Sequence, residues 1–332
     1  MRIDAIDPDT AGAADLDAWH EFCVATDRFD YPGEPDPPRA STVGGLIAGE
    51  DRRLTWFARS GGDGGGEIVG GITLMLTGYE NTHYAEFDVR VRPADRRAGI
   101  GRALFERARA AAVADGRTEF ETWAQAGGPG AAFVEAMGMR PALEEIRRVL
   151  RVSDVDVEAV AELAAGAASR PDGFDLVRWI DHCPDEWLEA YAAAIDGMND
   201  VPLGDIDWRP VTTTGKRVRM LEDAAVRRGS RRHVVAVRER STGAIAGFTQ
   251  VFVSPDTPRA AQEETTVLGP YRGRGFGLWL KADMLRWLSE VEPRVSEYQT
   301  WNAAENRHMI AVNERLGYHV VDPWQAWKLV LG

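Results

Sequence analysis

The stretch Arg272-Gly273-Arg274-Gly275-Phe276-Gly277 has an earlier counterpart, Arg96-Arg97-Ala98-Gly99-Ile100-Gly101. The later copy follows the β-branched run Thr265-Thr266-Val267-Leu268, closed by Gly269-Pro270-Tyr271. The earlier copy follows Val89-Arg90-Val91 and the turn Arg92-Pro93-Ala94-Asp95. Each opens a helical pattern. Leu280, Met284, Leu285 and Leu288 fall on one helical face after the later copy, and residues 102–114 form the matching helix after the earlier one. Glycines at 273, 275 and 277 let an anion approach the backbone where a Cβ would block it. The N–H groups and dipole of a starting helix attract phosphate. Gly-x-Gly alone is a weak signal, equally suited to a structural turn. Neither copy continues to the Gly-x-Gly-x-x-Gly of a dinucleotide site or the Gly-Lys-Ser/Thr of a Walker loop. Arg-x-x-Gly-x-Gly after a strand, twice in one chain, is more specific.

The repeat extends outward from the loops. Asp17-Ala18-Trp19 lies in a helical pattern leading to Asp27-Arg28-Phe29-Asp30-Tyr31-Pro32. Asp185-Glu186-Trp187 lies in a similar one leading to Asp196-Gly197-Met198-Asn199-Asp200-Val201-Pro202. A hairpin comes after each: residues 54–58 and 68–76 around a Gly-rich turn at 61–66, then 233–237 and 244–253 around Ser241-Thr242-Gly243. Each half reads strand, helix, helix, hairpin, strand, helix, strand, helix, strand. That order is α/β (α+β), with a mixed central sheet flanked by helices in each unit. Residues 153–171 are Ala- and Glu-rich and helical in pattern, ending at Arg170-Pro171-Asp172-Gly173. The expected division is therefore 1–152, a linker helix at 153–173, and 174–332.

Two cores suit a chain of 332 residues, 44% of them hydrophobic. The net charge of −13 argues against a nucleic-acid binder. It suits a cationic substrate, but solubility accounts for it equally simply. Two cysteines, Cys23 and Cys183, make no disulfide framework, and the six histidines show no zinc-ligand spacing. No segment reads as a signal peptide or a membrane span, so a metal-free, cytoplasmic protein starting at Met1 is expected, acting as a monomer or homodimer.

These loops and the segments after them resemble the GCN5-related N-acetyltransferase (GNAT) family in its tandem-domain form, a layout similar to that of mycothiol synthases. Arg272 through Gly277 is similar to that family's acyl-CoA pyrophosphate motif. Trp301-Asn302-Ala303-Ala304-Glu305-Asn306-Arg307-His308-Met309-Ile310-Ala311-Val312-Asn313-Glu314-Arg315-Leu316-Gly317-Tyr318 resembles its next motif, a strand end, helix and Leu-Gly-Phe/Tyr turn. The first half is similar at its loop and less so beyond, where residues 131–139 come after Gly127-Gly128-Pro129-Gly130. The resemblance implies acetyl-CoA as the acyl donor. Its pantetheine arm would lie between splayed strands and meet backbone amides at Val267 and Leu268, or at Val91. An N–H there would stabilise the oxyanion. The loop contacts implied are Arg272, Gly273, Arg274, Gly275, Phe276 and Gly277, and in the first half Arg96, Arg97, Gly99, Ile100 and Gly101. Asn302 and Asn306 either bond coenzyme A or serve as strand-end turn and helix cap.

Aminolysis of a thioester needs a base for the amine. Glu263 and Glu264 sit on or just before the strand carrying Val267; they are candidates for it, or edge charges in solvent. Strict alternation puts Glu263 with Thr265 and Val267 on one side and Glu264 on the other, an order that a bulge would swap. Family members with a tyrosine acid carry it four residues before the turn glycine, where this chain has Asn313. The acid is then missing, replaced by water, or supplied by Tyr298 or Tyr271, and Asn313 orients the thioester or the substrate; Tyr318 reads as core. The first half has Val134 at that offset, with Glu86 and Asp88 on its strand, and reads as an acyl-CoA binder without chemistry. Asp196, Asp200 and Trp301 border the expected acceptor site for a small amine. The expectation is direct transfer in the second half, since no cysteine lies in either motif. A non-catalytic acyl-CoA sensor and a protein-lysine acetyltransferase are the alternatives.

Overall fold

The computed structural model describes residues 1–61, 66–166 and 173–332. The first half runs β1 (Arg2–Ile6), α1 (Ala13–Asp30), the single turn α2 (Arg39–Thr42), β2 (Arg52–Arg59), β3 (Ile68–Leu76), β4 (Tyr84–Val91), α3 (Ile100–Ala114), β5 (Glu119–Gln125), α4 (Pro129–Ala136) and β6 (Arg140–Arg151). After α5 (Val157–Gly166) come β7 (Phe174–Ile180), α6 (Leu188–Ile195), α7 (Gly215–Arg227), β8 (Arg231–Glu239), β9 (Ile245–Val253), β10 (Arg259–Val267), α8 (Phe276–Val291), β11 (Glu297–Ala303), α9 (Arg307–Arg315) and β12 (His319–Val330). Both halves keep the element order read from the sequence. The tip of the Gly-rich turn and the Arg170-Pro171-Asp172 stop signal lie outside the described residues.

Each half packs helices on both faces of its strands. In the first, α3 sets Leu104, Phe105 and Ala108 against Ile72, Leu74, Phe87 and Phe120, while α1 sets Trp19, Phe22 and Cys23 against Phe57 and Ile68 on the other face. In the second, β8 sends Val235 and Val237 to α8 and Val234 and Ala236 to α6 and α7. A strand covered on both faces must be apolar at every position, which is why this one reads as a continuous run.

The sheets of the two halves are not separate. They merge into one sheet of order β1-β2-β3-β4-β5-β12-β6-β11-β10-β9-β8-β7. Each half gives its last strand to the other: β12 pairs with β5, β6 pairs with β11, and β6 and β12 pair antiparallel at the centre. The sequence pattern is the same whether a terminal strand returns to its own half or crosses over, because alternation sets which face is buried and not which copy is the partner. Arg147 on β6 pins the crossing. Its guanidinium donates to Asp322 of β12 at 2.7 and 2.9 Å, to Glu34 at 3.1 and 3.0 Å, and to Gln299 of β11 at 3.1 Å.

One parallel pair in each half is short. β4 meets β5 only through Tyr84↔Glu119, Ala85↔Phe120 and Glu86↔Glu121. β10 meets β11 only through Arg259↔Glu297, Ala260↔Tyr298 and Ala261↔Gln299. Beyond these pairs the strands diverge and leave a V-shaped splay, with the glycine loop and its helix coming after the first arm.

Candidate active site

The two loops share one backbone shape. Gly273 and Gly275 have φ of 77° and 73°; Arg97 and Gly99, at the matching positions, have 67° and 83°. Gly275 and Gly99 are the N-caps of α8 and α3. Left-handed residues just before a helix turn successive N–H groups toward one point, a concavity suited to an anion. Phe276 and Ile100 are buried, so only their backbone can reach a ligand there. A Cβ at Gly273 or Gly277 would meet nothing within 4 Å, so the space over the loop is open there.

The first arginine of each loop faces the protein. Arg272 Nε donates to Val267 O at 2.9 Å, and Arg96 Nε donates to Val91 O at 3.0 Å. Arg272 also pairs with Asp200 at 2.6 Å, and Arg96 pairs with Asp30 through two bonds of 2.8 and 2.6 Å. Both arginines therefore brace the loop through these bonds, and Asp200, an expected acceptor residue, pairs with Arg272. Arg274 stacks over the rings of Phe174 and Tyr271, each 5.7 Å away. Leu268 N–H donates to Ala246 O at 3.0 Å and is committed to the sheet. Alternation along the ladder then turns the Val267 N–H to the splay, and the Arg92 N–H bond to Val69 O does the same for Val91.

The second splay has a feature the first lacks. Between Gln262 and Thr265 the pairing of β10 with β9 slips by one residue, a β-bulge. β4 pairs with β3 without interruption. Gln262 holds the bulge from the core side: its Nε2 donates to Thr249 Oγ1 at 3.0 Å and Gln250 O at 2.9 Å. Thr249 and Thr265 hydroxyls meet at 2.7 Å. Glu263 and Glu264 are the two residues inside the slip. Glu264 accepts a bond from Gln250 Nε2, and Gln250 in turn accepts from Tyr191 of α6 at 3.4 Å. Glu263 is exposed to solvent; its backbone carbonyl accepts from Gln262 Nε2 at 3.3 Å, and its carboxyl has no hydrogen-bond partner among the described residues. Its carboxyl is nonetheless pushed up to about 7, first by the protein walls that thin its hydration and then by the negative charges of Glu264 and Glu145. Water reaches the group, so the site is a groove and not a sealed core.

Glu145 belongs to β6, so the strand exchange brings a first-half carboxylate to the second-half groove. Glu34, from the segment after α1, also reaches across to Arg147 and to Arg259 on β10 at 2.5 Å. No local pattern marks these two residues, since their neighbours in space are remote in sequence. The converse crossing occurs too. The Trp208 ring stands edge-on to Tyr84 at 5.1 Å, and Asn81 exchanges two bonds with the Arg209 backbone. Much of the expected acceptor segment thus covers the first half. Asp196 accepts from Thr213 N at 2.8 Å, a loop-closing bond. Trp301 is half-buried opposite Arg147.

The acid candidates move as well. Tyr298 lies in the core at the closed end of the splay, its phenol pushed far up by burial and then by Glu292. Tyr271 donates to Glu239 at 3.2 Å. Tyr318 is core, as expected. Asn306 caps α9, its Oδ1 accepting from Met309 N at 3.2 Å. Asn313 is fully buried, its amide bonded to Asn302 and to Lys281. Lys281 is not among the expected site residues, although it stands four residues before Leu285 in the apolar stripe of α8. In the first half, Glu86 is not an exposed strand charge. It lies at the floor of a cavity of about 180 Å³, and Tyr84 O–H donates to it at 3.3 Å. Asp88 is exposed beside Arg90.

A strand, a left-handed glycine turn and a helix beside an open splay, built twice into one sheet, define a tandem acyltransferase fold. The family model for the acetyltransferase (GNAT) family matches residues 17–139, the half in which the sequence resemblance is the weaker. A tandem GNAT protein from the clavulanic acid biosynthesis pathway, solved without acetyl-CoA, is 28% identical, with 100% of this chain and 98% of that one covered and a TM-score of 0.82. A GCN5-related N-acetyltransferase from Sphaerobacter thermophilus shares the fold at 17% identity, TM-score 0.68, over 99% and 95% of the chains. A putative acetyltransferase from Pyrococcus horikoshii does so at 15% identity, TM-score 0.58, over 99% and 89%. Among curated proteins no significant match is found. Residues 17–139 thus match the GNAT acetyltransferase family, and the whole chain is similar in fold to a tandem GNAT protein. Among the described residues, no helix is long and apolar enough to cross a membrane.

Proposed function

We propose that this protein is an acetyl-CoA-dependent N-acetyltransferase for a small cationic amine, with its chemistry in the second splay. The observation that carries the reading is the bulge at Gln262/Thr265, which sets Glu263 beside the open strands, whereas β4 runs straight. The loop before α8 would hold the donor's pyrophosphate, and acetyl-CoA would supply the activated acyl group. The Val267 N–H would face the thioester oxygen and lower the barrier as charge gathers there. Glu263, with a carboxyl near 7, is matched to taking a proton from an ammonium at neutral pH. Glu264, anchored by Gln250, and Glu145 would add negative potential that draws a cationic acceptor. Both thiols are buried and pushed up to about 12, which supports direct transfer over a cysteine acyl-enzyme.

The test is thiol release from acetyl-CoA with a panel of small amines and, separately, lysine-bearing peptides. Turnover with a small amine, lost in Glu263→Gln, is the expected result. Turnover with peptides alone would refute the acceptor class, and acetyl-CoA binding without turnover on either panel would favour a sensor.

A further inference from the structure

Lys281 of α8 is 2% exposed, inside the second-half core. Its Nζ donates to Asn313 Oδ1 at 2.6 Å and stands 5.2 Å over the Tyr318 ring. Lys281 Nζ is the donor in this contact, so the Asn313 atom that faces it is the amide oxygen. Lys281 therefore fixes Asn313 with Oδ1 toward α8 and Nδ2 toward β11. Asn313 Nδ2 then donates to Asn302 Oδ1 at 2.7 Å, which fixes a second amide. What remains of Asn302 is Nδ2, with no acceptor among the described residues. Asn302 as a whole is 9% exposed. Asn302 lies past Gln299, the last residue of β11 paired to β10, and so on the open arm of the splay.

The first half offers an internal comparison. Aligning the N-caps Gly275 and Gly99 matches Lys281 with Phe105. The pairs Ala260↔Tyr298 and Ala85↔Phe120 match Asn302 with Ala124, and the turn glycines 317 and 138 match Asn313 with Val134. Phe105, Val134 and Ala124 are all buried in the first-half core. The fold thus has a purely apolar solution at these three places. Packing alone does not call for the costly buried lysine. The three polar residues are also present or absent as a set, as expected if each leaves the next unsatisfied when removed.

Resting on the reading of the second splay as the acyl-CoA site, we propose that Lys281 and Asn313 are positioning residues that hold Asn302 with its Nδ2 outward, as a hydrogen-bond donor to a carbonyl oxygen of the donor's pantetheine–thioester arm. The chain of donors runs one way, from α8 through α9 to the strand.

A double-mutant cycle on the full chain tests it, with acetyl-CoA as the probe, binding by calorimetry and kcat/KM by thiol release. Asn302→Ala and Lys281→Met are each expected to weaken acetyl-CoA binding roughly tenfold. The double variant should lose no more, because Lys281 acts only through Asn302. The triple variant Lys281→Phe, Asn313→Val, Asn302→Ala copies a set the fold already packs; it should fold and show the same loss, which secures the test if a single variant fails to fold. Wild-type affinity in Lys281→Met, or losses that add in the double variant, would overturn the proposal while the function stands. A wild-type protein that does not bind acetyl-CoA would overturn both.

Discussion

Replacing Lys281 by Met should stabilise the protein below neutral pH and destabilise it in alkali. Burial drives this lysine from its ordinary 10.5 down to about 7. Each pH unit of such displacement is worth about 1.4 kcal/mol, so the folded protein carries a penalty of roughly 5 kcal/mol wherever both states are protonated. Between about pH 7 and 10.5 the unfolded lysine binds a proton that the folded one does not, so wild-type stability rises with pH across that window. Methionine has a similar length and no charge. Against its gain stands Asn313 Oδ1, left without its donor at a cost of about 1–3 kcal/mol. The net expectation is a gain of about 2–4 kcal/mol near pH 6, falling through zero between about pH 8 and 10 and reversed above that. Urea unfolding of both proteins at a series of pH values measures the difference directly, and groups common to both cancel. A difference that stays constant with pH would mean that Lys281 keeps its ordinary affinity for protons and that the core around it is wetter than the packing implies.

Four further outcomes are expected. Glu263→Gln should lower kcat by about 10²–10⁴, and the wild-type kcat/KM should rise with pH to a plateau above about 7, where the carboxylate forms; a flat profile with an active variant would remove Glu263 as the base. Gly275→Glu forces a side chain into a φ of 73° and sets a carboxylate where phosphate would sit, so acetyl-CoA binding and turnover should fall by about two orders of magnitude or more. Gly99→Glu should leave turnover intact, and loss of turnover only with that variant would move the chemistry to the first half. Arg147→Ala removes the shared partner of Glu34, which keeps Arg259, and of Asp322, which keeps Gln125 and Trp324, and should cost about 1–3 kcal/mol in thermal or urea unfolding.

The loops, the element order and the duplication are legible in the sequence because each is local: a turn needs its glycines and a helix its stripe within a few residues. The site is legible only where it is backbone. Gly273 and Gly275 emerge from loop geometry, and Val267 from the resemblance to the family's strand before that loop. The bracing bonds of the arginines beside them are not legible, because their partners, Asp200 and Asp30, lie in another segment, and charge pairing across space leaves no mark on spacing. Glu145 and Glu34 stay hidden for a stronger reason. They reach the second groove through strand exchange and loop crossing, and alternation is blind to which copy a strand joins. Lys281 does leave a trace, as the one cation in an otherwise apolar helical stripe.

The interlocked last strands also set an order of assembly. As the chain is synthesised, the first half emerges with β5 lacking its outer neighbour, because that neighbour is β12, nearly two hundred residues downstream. Until β12 arrives, β5 is an unpaired edge and β6 has no partner from its own half. Contacts of such long separation form slowly. The first half must therefore wait on the ribosome in an unfinished state, and a chain broken off late in translation would lose the integrity of the half that was made first.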